Sequence, residues 1–182
     1  MAYNIVTIVG SIRKESLSLK IANALAKLAP ASLQLDVTTL QGISFFNQDL
    51  EGAPPADWLA FREKLQKSNG VLFVTPEYNR SIPGAMKNAI DVGSRPYGQS
   101  GFSGKPGAVL SASPGAIGGF GANHHLRQCL VFLDVYVLQQ PEAYLGGAGN
   151  FFDENGALSD GIKPFLQKFI DAYADWVAKH AG

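Results

Sequence analysis

The alternation of two kinds of apolar pattern along the chain limits its fold more than any other feature. Short runs at 3–9 (YNIVTIV), 71–75 (VLFVT), 106–112 (PGAVLSA) and 135–138 (VYVL) are apolar almost throughout. A strand of that kind is buried on both faces, as inside a parallel sheet. The run at 33–39 alternates Leu33, Leu35 and Val37 with polar residues, which suits a sheet edge. Between these runs, apolar residues recur every three or four positions and predict helices. The first, 16–29, carries Leu17, Ile21, Leu25 and Leu28 and is stopped by Pro30. The second runs from about Asp57, a plausible N-cap, to Ser68, with Trp58, Phe61 and Leu65 on one face. The third, 84–92, carries Met86, Ala89 and Ile90, and the fourth, about 118–133, carries Leu126, Leu130 and Leu133. The last, about 159–180, has Phe165, Phe169, Tyr173 and Trp176 on a face that reads as core.

Five strands alternating with five helices predict an α/β chain with a doubly wound parallel sheet in the order 2-1-3-4-5. Ligands of such sheets bind beyond the carboxyl ends of the strands, beside the first one. Function is therefore expected in the loops after strands 1, 3 and 4. At 182 residues the chain suffices for one core, and 1–182 reads as one domain. Its 46% hydrophobic and 16% charged residues exclude global disorder. Fifteen basic residues cancel fifteen acidic ones, which leaves no electrostatic footprint for nucleic acid and no polybasic membrane anchor. A single cysteine, no membrane-spanning apolar run and no targeting segment predict a cytoplasmic protein.

The loop after the first strand is Gly10-Ser11-Ile12-Arg13-Lys14-Glu15-Ser16-Leu17-Ser18. It gathers three hydroxyls and a guanidinium at a helix start, where free N–H groups and the helix dipole favour an anion. Arginine's planar fork matches phosphate oxygens in pairs. The loop is neither of the common glycine-rich nucleotide motifs, G-x-G-x-x-G or G-x-x-x-x-G-K-[ST]. The plainer alternative, a capped helix with Ser16 as N-cap and Arg13 solvated, is the lesser reading for a loop that follows the central strand. The loop after the third strand, Thr75-Pro76-Glu77-Tyr78-Asn79-Arg80-Ser81-Ile82-Pro83-Gly84, is restrained by prolines and offers an aromatic and an amide to a flat ligand. The loop after the fourth strand, Ser111-Ala112-Ser113-Pro114-Gly115-Ala116-Ile117-Gly118-Gly119, lets backbone approach a ligand closely. Together the three describe a phosphate pocket with two walls for a planar heterocycle, which suits a mononucleotide such as FMN.

GSIRKES, TPEYNRSIPGAMKNAID and GGFGANHHLRQCLVFLDVYVLQQPE together resemble the NAD(P)H-dependent FMN reductase family, in its chromate and quinone reductase branch. The resemblance covers almost the whole chain. It implies a flavodoxin-like three-layer sandwich, non-covalent FMN, and NAD(P)H as co-substrate in a ping-pong hydride transfer. The acceptors implied are quinones, with chromate, azo or nitro compounds and free flavin as others. By the same resemblance, Ser11, Arg13 and Ser18 hold the phosphate, and Ser16 and Leu17 line the helix start. Pro76, Glu77, Tyr78 and Asn79 contact the isoalloxazine, with Tyr78 and Asn79 supporting its chemistry, and Ser113 and Gly115 lie along the ring's other edge. A homodimer or homotetramer is implied. Ser18 stands where many relatives have Asn, and Val92 where many have Trp. The alternative is a flavodoxin-type electron carrier without enzymatic activity; such carriers lack an arginine in the phosphate loop.

Other residues have plainer readings. Adjacent His124 and His125 diverge by roughly 100° on a helix and do not share a metal ion, so no metal site is expected. Cys129 falls at core spacing and reads as a structural thiol. Arg95-Pro96-Tyr97 is open to NAD(P)H or a neighbouring subunit, and Glu142 and Arg127 are candidates for a pair across an interface.

Overall fold

The computed structural model describes residues 2–181. Strands β1 (Tyr3–Val9), β2 (Leu33–Thr39), β3 (Gly70–Thr75), β4 (Pro106–Ala112) and β5 (Tyr136–Val137) form a parallel sheet in the order β2-β1-β3-β4-β5. Helices α1 (Leu17–Leu28) and α5 (Lys163–His180) cover one face; α2 (Ala56–Gln66), α3 (Gly84–Gly93) and α4 (Phe120–Phe132) cover the other. Along β1 the pleat sends Ile5 and Val9 into the first layer and Val6 and Ile8 into the second, so the apolar run is buried throughout. β2 is the edge. Its Leu33, Leu35 and Val37 pack toward α1 and α5, while Gln34 and Asp36 stay exposed on the other side.

The fifth sheet position is divided. β5 pairs only with Pro106 and Gly107; a further strand, β6 (Ala143–Leu145), pairs in parallel with Leu110 to Ala112. Sequence periodicity predicts one strand at 135–138 and a loop over 140–158. The chain leaves β4 after Leu138, and Pro141, which has no N–H, separates the two short strands. A three-residue strand is too short to show a period.

Helix starts also shift. Ser16 caps α1, its hydroxyl accepting from Leu19 N at 3.1 Å. Asp57 does not cap α2: Pro55 occupies that position, and the Asp57 carboxylate accepts from Ser44 N and Ser44 Oγ, each at 2.7 Å. Those bonds hold the Asp57 carboxyl below its usual value. The Ser44 carbonyl accepts from Trp58 Nε1 and Asn88 Nδ2, both at 3.0 Å, so the loop after β2 is pinned between α2 and α3. α4 begins at Phe120, because Gly118 and Gly119 have φ of +66° and +76° and cannot belong to a right-handed helix. α5 begins at Lys163, four residues later than its periodicity suggests, with a turn over 159–162.

The aromatic face of α5 is core, as its spacing predicts. Tyr173 is fully buried and donates its hydroxyl to Val71 O at 2.9 Å; Pro106 O lies at 3.3 Å. Gly70 makes room for it, since a Cβ there would stand 3.0 Å from the Tyr173 oxygen.

Candidate active site

The three loops meet because their strands are adjacent. Val9 pairs with Val74, Thr75 with Ser111, and Ala112 with Leu145. At a strand spacing of about 4.8 Å, the ends of β1 and β4 lie about 10 Å apart, with β3 between them. Gly10 closes the first gap: its N–H bonds Val74 O at 2.9 Å, and a Cβ would stand 3.0–3.2 Å from Met86 Cε, Thr75 Oγ1 and Pro76 Cδ.

In the first loop Ser11, Ser16 and Ser18 are buried, while Arg13 and Lys14 are exposed. Ser11 Oγ accepts from Arg13 N at 3.4 Å, which folds the loop over the helix start. Lys20 pairs with Glu15 at 3.1 Å, but Arg13 and Lys14 pair with no carboxylate among the described residues. Two cations thus stand beside the positive end of α1.

The second loop is a tight hairpin. Tyr78 and Ser81 exchange both backbone hydrogen bonds at 3.0 Å, and the residues between them, Asn79 and Arg80, have φ of +52° and +64°. This is the pattern of a type I′ turn, which Asn tolerates at its first central position and where Gly is favoured at the second. The hairpin leaves the Tyr78 ring 46% exposed. The Glu77 side chain is largely buried. Its Oε2 accepts from Ala122 N in the first turn of α4, and its Oε1 from Arg80 Nη1, both at 3.0 Å.

The third loop is held by a segment that sequence reasoning missed. Ser113 N donates to Leu145 O and Ala148 N to Ser113 O, each at 3.0 Å, and Gly147 N to Gly115 O at 3.3 Å. A Cβ on Gly118 would come within 2.5–2.8 Å of the Tyr144–Leu145 backbone, and one on Gly146 within 2.3 Å of Ala116 O. The signal was the small-residue run at 146–149, which mirrors the third loop's own composition. Gly115 is open, with only Ser113 Oγ within 3.6 Å of where a Cβ would sit. Behind the loop, fully buried Asn123 donates to Ser111 Oγ and Ala143 O, both at 3.2 Å, and accepts from Arg127 Nε at 2.9 Å. Ser111 Oγ in turn donates to Gly118 O at 2.8 Å.

Residues 3–150 match the sequence pattern of the family described as NADPH-dependent FMN reductase. The chain belongs to that family. It is 58% identical to a quinone reductase of Pseudomonas putida over 176 residues, 96% of this chain and 95% of the relative. It is 43% identical to a 2-hydroxy-1,4-benzoquinone reductase of a Burkholderia species over 178 residues, 97% of each chain. Among solved structures it resembles the flavoenzyme NAD(P)H:(acceptor) oxidoreductase FerB of Paracoccus denitrificans, with a TM-score of 0.93, 37% identity and full coverage of both chains. The protein is thus an FMN reductase with a flavodoxin-like fold, an oxidoreductase that draws on NAD(P)H.

The residues of this FMN reductase fit the cofactor. Among the described residues Arg13 and Lys14 lack carboxylate partners, and the first-turn N–H groups of α1 beyond the one that Ser16 takes have no intrahelical acceptor. In the other two loops, Tyr78 is exposed and Gly115 has open space where a side chain would stand.

The remaining sequence candidates take other roles. His124 Nε2 bonds the Tyr144 hydroxyl at 2.8 Å, and His125 Nδ1 bonds Ser81 Oγ at 2.6 Å, so the two histidines serve different segments. Burial and a bond with Glu142 push Tyr144 up to about 12. Arg127 bonds Asn123 and, at 3.1 Å, Leu138 O within its own chain. Burial lowers its pKa. Cys129 is half-buried against the α2–α4 layer, and burial raises its thiol. Arg95 lies over the Phe46 ring at 5.6 Å, and Tyr97 is exposed. No helix among the described residues is long and apolar enough to cross a membrane.

Proposed function

We propose that this reductase passes two electrons and a proton equivalent from NAD(P)H to a quinone in a ping-pong cycle, donor and acceptor using one open shelf in turn. The observation that carries the reading is the convergence of three loops from adjacent strands on a helix start where Arg13 has no carboxylate partner among the described residues. The quinone reductases to which the chain is 58% and 43% identical support a quinone as the oxidant.

FMN, when bound, supplies the hydride and electron chemistry. The protein supplies placement. Arg13, Ser11, Ser18 and the first-turn N–H groups of Leu17 and Ser18 hold the phosphate, with Ser16 capping the helix they start. Pro76, Tyr78 and Asn79 form one wall of the ring site. The Glu77 carboxylate is spent on α4 and Arg80, so Glu77 faces the ring with its backbone. Ser113 and Gly115 would hold the other edge, where backbone N–H groups could donate hydrogen bonds to the ring. We place the enzyme in the cytoplasm as a homodimer or homotetramer.

The test is a visible spectrum of purified protein, then NADH or NADPH with and without a quinone. Bleaching by the nicotinamide and recovery on adding quinone, with parallel initial-rate lines, is expected. Chromate, azo and nitro compounds offered in place of quinone define the acceptor range. Arg13→Ala is expected to lower FMN affinity by tenfold or more, because a charge-assisted phosphate contact contributes about 1.5–3 kcal/mol. Unchanged affinity in that variant removes Arg13 from the phosphate site.

A further inference from the structure

We propose that Glu77 and Arg80 act as an opposed charge pair that sets the reduction potential of the flavin, with the α4 N-terminus as the third member. The inference deepens the reading above and rests on it. Glu77 and Arg80 are positioning residues, not catalytic ones.

The second loop does not need these side chains to turn. A type I′ turn is most easily made with glycine at its second central position, yet Arg80 stands there at φ +64°. A bulky residue in the left-handed region is sterically strained. What Arg80 gains is its contact with Glu77 Oε1 at 3.0 Å. The Glu77 side chain is only 11% exposed. Burying a carboxylate is costly unless it is paired, and here both oxygens are engaged.

Helix α4 requires the same carboxylate. Its cap residue, Gly119, has no side chain, so the orphan N–H of Ala122 is satisfied from outside the helix by Glu77 Oε2 at 3.0 Å. The carboxylate also faces the positive end of the helix dipole. Gly121 allows the approach: a Cβ there would stand 2.9 Å from both Glu77 Oε2 and Arg80 O. Ser81 and His125 tie the loop to α4 a turn further on.

One negative group is therefore held between two positive ones next to Tyr78 and Asn79, the wall assigned to the ring. Reduction of FMN adds negative charge to the ring site. Removing the Arg80 charge leaves more of the Glu77 carboxylate uncompensated and opposes reduction. Removing the Glu77 charge leaves Arg80 and the helix terminus uncompensated and favours it. The two changes move the potential in opposite directions, whereas a loosened loop moves both the same way.

The experiment is a dye-linked redox titration of FMN-loaded wild type, Glu77→Gln, Arg80→Gln and Arg80→Lys at one pH and low ionic strength. Glu77→Gln is expected to shift the potential positive and Arg80→Gln negative. Each shift is expected to reach about tenfold in the ratio of reduced to oxidised FMN affinity, which is about 30 mV for a two-electron couple. Arg80→Lys restores the charge and stays near wild type. Both shifts shrink in high salt. Melting of the apoproteins checks folding; if Glu77→Gln fails to fold, the two variants at exposed Arg80 decide. Shifts of the same sign, or an Arg80→Gln potential equal to wild type, overturn the pair's role. Wild-type protein that takes up no FMN would instead sink the functional reading beneath it.

Discussion

Asn79 shows how one residue serves both backbone and ligand. Its φ of +52° is tolerated by asparagine and glycine, and its amide stands on the proposed ring wall. Asn79→Gly keeps the turn and removes the amide; Asn79→Ala removes the amide and strains the turn. Both are expected to weaken FMN binding roughly tenfold in a fluorescence titration. Recovery of full affinity in the glycine variant would assign Asn79 to the turn alone. Asp57 gives a second prediction. Ser44 holds its carboxyl below the ordinary 3.8, so its stabilising contribution is complete above that pH and drains as pH falls through the lower folded value. Asp57→Asn is expected to flatten the acid limb of a stability–pH curve. Ser16 was legible as a cap because an N-cap acts on N–H groups two or three residues away. The partner of Asp57 lies thirteen residues back and that of Glu77 forty-five residues on, distances at which sequence spacing carries no signal.

Among the elements, α4 and β6 carry most of what the sequence concealed. The third loop was visible from its glycines, but not the strand whose backbone it lies against. Gly118 measures that contact. Gly118→Ala places a Cβ 2.5 Å from the Tyr144 carbonyl carbon at φ +66°. The variant is expected to lose about 2 kcal/mol in urea unfolding and to bind FMN more weakly. Gly115→Ala has open space and is expected to keep its stability. Two helix starts moved where a proline or a left-handed glycine, rather than the apolar spacing, set the first turn: Pro55 before α2 and Gly119 before α4.

For the whole molecule, topology was the most legible property. Runs such as Ile5–Val9 and Val71–Val74 are apolar because each strand separates two helical layers, and the alternation of five such strands with helices pointed to the order that the sheet adopts. The convergence of the three loops followed from topology, since loops leaving neighbouring strands must meet. Contacts across layers were not legible. Tyr173 reads as a core aromatic, yet its hydroxyl ties α5 to the backbone of β3 and β4. Tyr173→Phe leaves two buried carbonyls without that donor. It is expected to cost about 1–2 kcal/mol in unfolding, with FMN affinity unchanged.

The divided neighbour of β4 has a consequence for how such a chain can vary. Each short strand is locked to its own half of β4, so the stretch joining them, with exposed Gln139 and Gln140, transmits no register from one to the other. Residues gained or lost at that joint leave both ladders in step, and the rim proposed to hold the cofactor is free to diverge while the opposite end of the sheet stays fixed.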